Sequence, residues 1–217
     1  MSPFPERLLA GYQTFVTQRL PTEQSRYREL SQVGQSPEVM VIGCCDSRVS
    51  PEVIFDAGPG ELFVVRNVAN LVPVFQPDGN AHGVSAALEY AIQVLKVKHI
   101  VVLGHAQCGG IRAFVDDSAP LSPGDFIGKW MSMFVKPGEK VAQRDHETMQ
   151  QFVTRIEKAA VLRSLENLGT FPFVKNLVDS GQLRLHGAYF GVAEGSLSIV
   201  DQATNEFSRV YQPSLTG

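Results

Sequence analysis

Val39-Met40-Val41-Ile42-Gly43-Cys44 and Ile100-Val101-Val102-Leu103-Gly104-His105 are two versions of one pattern: four apolar, mostly β-branched residues, a glycine, then a side chain able to ligate a metal. Continuous apolar runs of this length suit strands buried on both faces. A third run, Leu62 to Val65, lies between them. It is followed by Ala81 to Val97, which places Val84, Leu88, Ala91, Ile92 and Leu95 on one helical face. Strands alternating with helices predict an α/β fold, with a central mostly parallel sheet flanked by helices.

Working outward, the glycine pair after Cys108 opens a helix through Val115, and Asp116 to Gly124 reads as a polar loop with two prolines. Helical patterns resume at Asp125 to Phe134 and at His146 to Leu168. Leu183 to Tyr189 reads as a strand, and Leu197 to Val200 with Phe207 to Tyr211 as a hairpin around Asp201 to Glu206. On the amino-terminal side, residues 1–34 form a helical arm with Leu8, Leu9, Tyr12, Phe15 and Val16 at helical spacing, a break at Pro21, and a second polar helix to about Leu30. Such an apolar stripe can lie on its own domain or embrace a neighbour; it is expected to pack on a partner subunit. No repeat, low-complexity tract or linker interrupts the chain, so residues 1–217 are read as a single domain.

Composition narrows the function. The 217 residues are 44% hydrophobic and 19% charged, a globular profile. Nineteen basic against 22 acidic side chains leave a net charge of −3, the wrong sign for gripping a phosphate backbone, so no nucleic-acid partner is expected. No apolar run approaches the roughly 20 residues that cross a bilayer, and the opening segment lacks a basic flank followed by an apolar stretch. A cytoplasmic chain with neither membrane partner nor export signal is the expectation. Three cysteines, Cys44, Cys45 and Cys108, are too few for a disulfide scaffold and suit thiols or metal ligands.

Both glycine-ended strands deliver a ligand just past their carboxyl ends, where open α/β sheets place their sites. Cys108 follows His105 by three residues, and a tight loop can bring an imidazole and a thiolate onto one ion. Cys44, His105 and Cys108 would then give zinc three protein ligands and leave a fourth position for water, as catalytic zinc sites do. Asp46 and Arg48 follow Cys44 at two and four residues; if the chain stays extended, all three side chains share one face and Cys45 turns away. The plainer alternatives are buried cysteines acting as small hydrophobes and a surface Asp and Arg that happen to pair.

These residues resemble a family. Cys44-x-Asp46-Ser47-Arg48, followed about 60 residues later by His105-x-x-Cys108-Gly109-Gly110, is similar to the signature of the β-class carbonic anhydrases, and Pro59 to Pro73, Ala86 to Val97 and Gly104 to Phe114 are similar to further family blocks. The resemblance implies zinc on Cys44, His105 and Cys108, with Asp46 and Arg48 beside the reacting water. It implies a carbon dioxide pocket walled by Phe63, Val68 and Tyr90 with Gln35 as a polar contact, mostly supplied by the partner of a homodimer or higher homo-oligomer. The activity implied is zinc-dependent interconversion of carbon dioxide and bicarbonate. Elementary chemistry agrees: Asp46, kept ionised by Arg48, can accept the water's proton, and the amides of Gly109 and Gly110 at a helix start can receive a developing oxygen.

Two departures stand out. Val41 and Phe190 occupy positions where the bicarbonate-regulated branch carries tryptophan and tyrosine, so the resemblance is to the plant-like branch without that allosteric site. Val94 stands where plant-like relatives often place a histidine four residues after the residue matching Tyr90, which leaves the proton shuttle unassigned. His82, His99, His146 and His186 read as structural, and Trp130, Met131, Met133 and Phe134 as core or interface. Two rival functions share these residues: hydrolysis of carbonyl sulfide or carbon disulfide at the same site, and a non-catalytic zinc or redox-sensing protein using Cys44 and Cys45 as thiols.

Overall fold

The computed structural model describes residues 4–116, 120, 122–135 and 141–210. They divide into two compact units, residues 1–36 and 37–217.

The first unit is the arm. Helix α1 (Glu6–Thr14) runs through a π turn (Phe15–Arg19) into α2 (Leu20–Val33). The expected break at Pro21 does not occur. Proline is tolerated in the first turn of a helix, where its missing N–H has no partner to lose, and the π turn just before it closes with the Leu20 amide on the Phe15 carbonyl. None of the residues in these three segments is buried.

The second unit is built on β1 (Val39–Cys44), β2 (Leu62–Asn67), β3 (His99–His105), β4 (Arg184–Gly191), β5 (Ser196–Val200) and β6 (Phe207–Arg209), in the order β2-β1-β3-β4-β5-β6. The first four strands are parallel; β4, β5 and β6 pair antiparallel. The α/β class, its mostly parallel sheet and the terminal hairpin are all as the sequence reads, with Tyr211 outside the described residues.

Register positions the site. Val39 pairs with His99 and Gly43 with Leu103, so β1 and β3 run level and end with Cys44 opposite Gly104 and His105 one residue beyond. Alternation sends Met40, Ile42, Ile100 and Val102 to one face, against Leu88, Ile92, Val161, Leu168 and Val174. Val41 and Leu103 take the other face with Ala188 and Phe190. Each such side chain fully removed from water contributes on the order of 1.5–3 kcal/mol.

The helices are α3 (Pro51–Ile54), α4 (Gly83–Tyr90), α5 (Gly109–Val115), α6 (Phe126–Ser132), α7 (Met149–Leu168) and α8 (Pro172–Asp179). Three expectations need correction. The helix read over Ala81 to Val97 is α4 from Gly83 plus a π turn (Ala91–Leu95), stopped by Lys96 in the left-handed region at φ 58. The helix read from His146 begins at Met149, because Thr148 and Gln151 form a reciprocal capping box that fixes the start there; His146 lies in the preceding turn at φ 62. Helices α3 and α8, each opened by a proline, were not anticipated. Of the polar loop read from Asp116 to Gly124, residues 117–119 and 121 lie outside the described residues. No helix among the described residues is long and apolar enough to cross a membrane.

Candidate metal centre

Three metal-capable atoms converge where β1 and β3 end. The ligand atoms of Cys44, His105 and Cys108 lie within 4.8 Å of one another, and the residues are 5%, 1% and 2% exposed. The two sulfurs are 3.9 Å apart. They are enclosed by Val49, Ala69, Leu71, Ile111, Met131, Phe134 and Phe152, an apolar shell that raises the strength of every charge interaction inside it. Trp130, whose Nε1–H donates to the Val68 carbonyl at 2.7 Å, packs against that shell, as do Val68 and Phe114; the core reading of the Trp130 segment holds.

The local chain shape has identifiable causes. Gly104 is needed because a Cβ there would meet Val161 Cγ2 of α7 at 2.5 Å, and at Gly110 a Cβ would meet Val68 Cγ1 at 2.5 Å. After β1 the chain turns at Ser47-Arg48 and does not remain extended. Asp46 still reaches Arg48, by another route: the Arg48 amide donates to Asp46 Oδ1 at 3.0 Å in a side-chain turn, while Nε and Nη2 of the guanidinium donate to Oδ1 at 2.9 Å and Oδ2 at 2.7 Å. Asp46 Oδ2 stands 4.0 Å from His105 Nε2. Cys45 is exposed, turned away as expected. Arg66 braces the turn from β2, donating to the carbonyls of Cys44 at 2.8 Å and Asp46 at 2.7 Å.

The electrostatics fit a bound cation. His105 Nδ1 contacts the Ala106 carbonyl at 2.9 Å, which fixes the proton on Nδ1 and leaves the Nε2 lone pair facing the sulfurs. Nε2 is buried with no hydrogen-bond partner, an arrangement that costs free energy unless something is ligated there. The amides of Asp46 and Ala69 beside Cys44 favour its thiolate, and those of Ile111 and Gly110 act in the same direction at Cys108. The two thiols share a proton between them, which favours the thiolate at Cys44 and, together with burial, resists a second one at Cys108; a cation would relieve that resistance. Burial pulls the His105 imidazole down, but the neighbouring Cys44 sulfur carries it above its ordinary value. The Arg48 guanidinium holds the Asp46 carboxyl well below the usual carboxylate range.

Not every expected residue converges. The Gly110 amide, expected to receive a substrate oxygen, also lies beside the Cys108 sulfur, where it favours the thiolate. Phe63 and Tyr90 stack at 5.9 Å, but Phe63 pairs with Met40, four residues before Cys44 and hence about 13 Å back along the sheet. Gln35 belongs to the first compact unit, exposed just after α2.

Sequence reasoning missed the supports. Ala69 and Asn70 adopt left-handed φ of 63 and 49, strained for residues with a Cβ. They are held by Asn67, whose side chain bonds both the amide and the carbonyl of Leu71 at 2.9 Å. Ser164 bridges the Asn70 carbonyl at 3.0 Å and the Val72 amide at 3.1 Å. Glu157, also on α7, sits under Cys108. A signal did exist: Glu157, Ser164 and Asn167 are polar residues on the apolar face of α7, and all three are buried.

A family model described as Carbonic anhydrase matches residues 39–197. Beta carbonic anhydrase 3 of Arabidopsis thaliana is 36% identical over 198 residues, covering 89% of this chain and 76% of that protein. The solved structure of the β-carbonic anhydrase CcaA aligns with TM-score 0.84 at 27% identity over 95% of this chain and 92% of its own. A structure from a study of two tetrameric β-carbonic anhydrases of Sordaria macrospora aligns with TM-score 0.74 at 27% identity, covering 89% and 95%.

Proposed function

The chain belongs to the β-carbonic anhydrase family, and on that premise we propose that it holds one zinc ion on Cys44, His105 and Cys108 and catalyses the reversible hydration of carbon dioxide to bicarbonate and a proton. The observation that carries the ligand set is the partnerless, buried Nε2 of His105 within 4.8 Å of two buried sulfurs that are themselves 3.9 Å apart. When bound, zinc supplies the Lewis acidity that makes a water nucleophilic at neutral pH. The chain supplies the rest. Asp46 accepts the proton of the reacting water in a hydrogen bond and so aims its remaining lone pair; Arg48 keeps Asp46 ionised and fixed in direction. Val68 and the apolar shell limit the water that reaches the site. The Gly109 amide is the donor left for a developing bicarbonate oxygen.

The working unit in this proposal is at least a dimer. The exposed arm packs on a partner subunit, and Gln35, Phe63 and Tyr90 serve the partner's zinc; Tyr90 is 45% exposed despite being aromatic, which suits a residue completed by another chain. A tetramer is consistent with the Sordaria relatives. The chain falls in the plant-like branch, supported by the Arabidopsis relative and by Val41 and Phe190, which pack in one apolar cluster and offer no polar atom to a regulatory bicarbonate.

Stopped-flow carbon dioxide hydration on protein whose zinc content is measured in the same sample tests the assignment. One zinc per chain with zinc-dependent hydration is the expected result; hydration that is independent of zinc overturns it. Mixing inactive Cys44→Ser with inactive Gln35→Ala chains should restore part of the activity, and an active monomer by sedimentation would contradict the shared site.

A further inference from the structure

Under the turn that joins the two later ligands, α7 presents a carboxylate to the interior. Glu157 is 2% exposed. Its Oε1 accepts the Cys108 amide at 2.9 Å, and the Gln107 amide is directed at the same group. Its Oε2 accepts the hydroxyl of Tyr189, from β4, at 2.6 Å. Gln107 lies in the left-handed region at φ 57, which turns two successive amides toward one point. Such a nest binds anions, and here the anion is part of the chain.

The opposite end of the same peptide plane is also held. The Gln107 carbonyl accepts Arg48 Nη2 at 3.0 Å. The peptide between Gln107 and Cys108 is thus gripped by a carboxylate at its N–H and by a guanidinium at its C=O. Rotation of that plane sets the direction of the Cys108 Cα–Cβ bond, and with it the sulfur.

We propose that Glu157 is a positioning residue for the metal: with Tyr189 holding its far oxygen and Arg48 opposing it, Glu157 fixes the Gln107–Cys108 peptide and so aims the Cys108 sulfur. This rests on the reading of Cys44, His105 and Cys108 as zinc ligands. Glu157 touches neither metal nor substrate in this role and acts through the turn.

The test is zinc affinity, measured by competition with a chromophoric chelator, on the full chain carrying Glu157→Leu, Glu157→Gln or Tyr189→Phe. Leucine fills the space without accepting the amides and should weaken zinc binding about 10- to 100-fold, the usual effect of losing an outer support. Glutamine keeps a carbonyl for the amides and an NH2 that can donate to Tyr189, and should stay within about threefold of the parent protein, while Tyr189→Phe should weaken binding by about three- to tenfold. The cobalt-substituted proteins should follow suit, with the thiolate charge-transfer bands altered by leucine and restored by glutamine. A merely structural residue would leave affinity and spectrum unmoved in every variant that folds, as judged by circular dichroism. Unchanged affinity in the leucine variant, or glutamine as damaging as leucine, overturns the proposal. If the leucine variant does not fold, unchanged affinity in Tyr189→Phe overturns it. Failure of the parent protein to bind zinc would instead remove the ligand assignment itself.

Discussion

After β1 the chain carries its metal-facing cysteine into an exposed, charged turn, where Asp46 and Arg48 lie near the surface and Cys45 points outward. After β3 it carries His105 and Cys108 into a turn whose two ligands are buried, although Gln107 between them is exposed, held from below by α7 and closed by the start of α5. The two halves contribute to one site in different currencies. In the proposed site Cys44 at the end of β1 joins the two ligands of the buried half in holding the metal, and the charged turn after Cys44 supplies the groups that meet water and substrate. Arg48 joins them, since the same guanidinium that clamps Asp46 also donates to the Gln107 carbonyl.

The largest test of that division removes ligands. Cys44→Ser, His105→Ala and Cys108→Ser should each drop zinc from one per chain to about a tenth or less and abolish hydration, because a two-ligand remnant cannot hold a labile ion against exchange. Cys45→Ser, on the outward side of the open half, should keep both. Full zinc in Cys108→Ser, read by metal analysis of the purified protein, would show that Cys108 is not a ligand and would sink this three-ligand site.

A smaller effect, confined to turnover, should follow from Asp46→Asn. The amide keeps the size of the carboxylate but neither its charge nor its full acceptor capacity. Zinc content should be unchanged and kcat/KM should fall on the order of 10²- to 10⁴-fold, the range for a positioned proton acceptor. Loss of zinc in this variant would mean that the charged turn after Cys44 also holds the metal, and the contrast between the halves would fail. The Asp46 carboxyl is held well below its ordinary value by Arg48, so it stays ionised at any pH above the usual carboxylate range of about 4. Between pH 8 and 5 the pair should remain intact, and activity should decline smoothly as pH falls, without a cooperative collapse. A crystal structure near pH 6 with an Asp46 oxygen at about 2.0–2.2 Å from zinc, a carboxylate ligation distance, would refute this.

The two halves also differ in how far they can be read in the sequence. Strand runs ending in glycine, with ligands one residue later, made the sheet, Cys44 and His105 legible, because periodicity and burial are local properties of the chain. The Asp46 to Arg48 pairing was legible as a pair but not as a shape: a side-chain turn closes it, and an extended path reaches the same neighbours. The brace under the buried half was not legible. Glu157 lies 49 residues from Cys108, and only the packing of α7 against β3 and β4 joins them. The strained Ala69 and Asn70 are likewise invisible locally, since nothing in Val68-Ala69-Asn70 signals left-handed backbone without the distant clamps that enforce it. Phe63, Tyr90 and Gln35 are a third kind of case: in the proposed dimer the surface that completes them would belong to another chain.

The smallest effect should come from the entrance of α7, the helix behind the buried half. Nε and Nη2 of Arg155 donate to the Glu147 carboxylate at 2.8 Å and 2.7 Å, and the Arg144 amide donates to it at 3.0 Å. The guanidinium also lies 5.0 Å over the ring of Phe152, which lines the metal-site shell. Arg155 first, and then the Arg144 amide, lower the Glu147 carboxyl to about 2. A carboxyl lowered in the folded state stabilises that state above its unfolded pKa of about 4.3 and loses the contribution as pH falls toward the folded value. Glu147→Gln should therefore lower the thermal midpoint by about 2 °C or less at pH 6 to 8, a surface ion pair being weak. Zinc content and hydration rate should not change. The gap between the two proteins should close as pH falls from about 4.5 toward 2. Acid release of zinc from the thiolates is common to both proteins and cancels in the difference, so the gap isolates Glu147. A gap that widens on acidification would reverse the sign of the argument, and a fall in zinc content at neutral pH would place the entrance of α7 among the supports of the buried half.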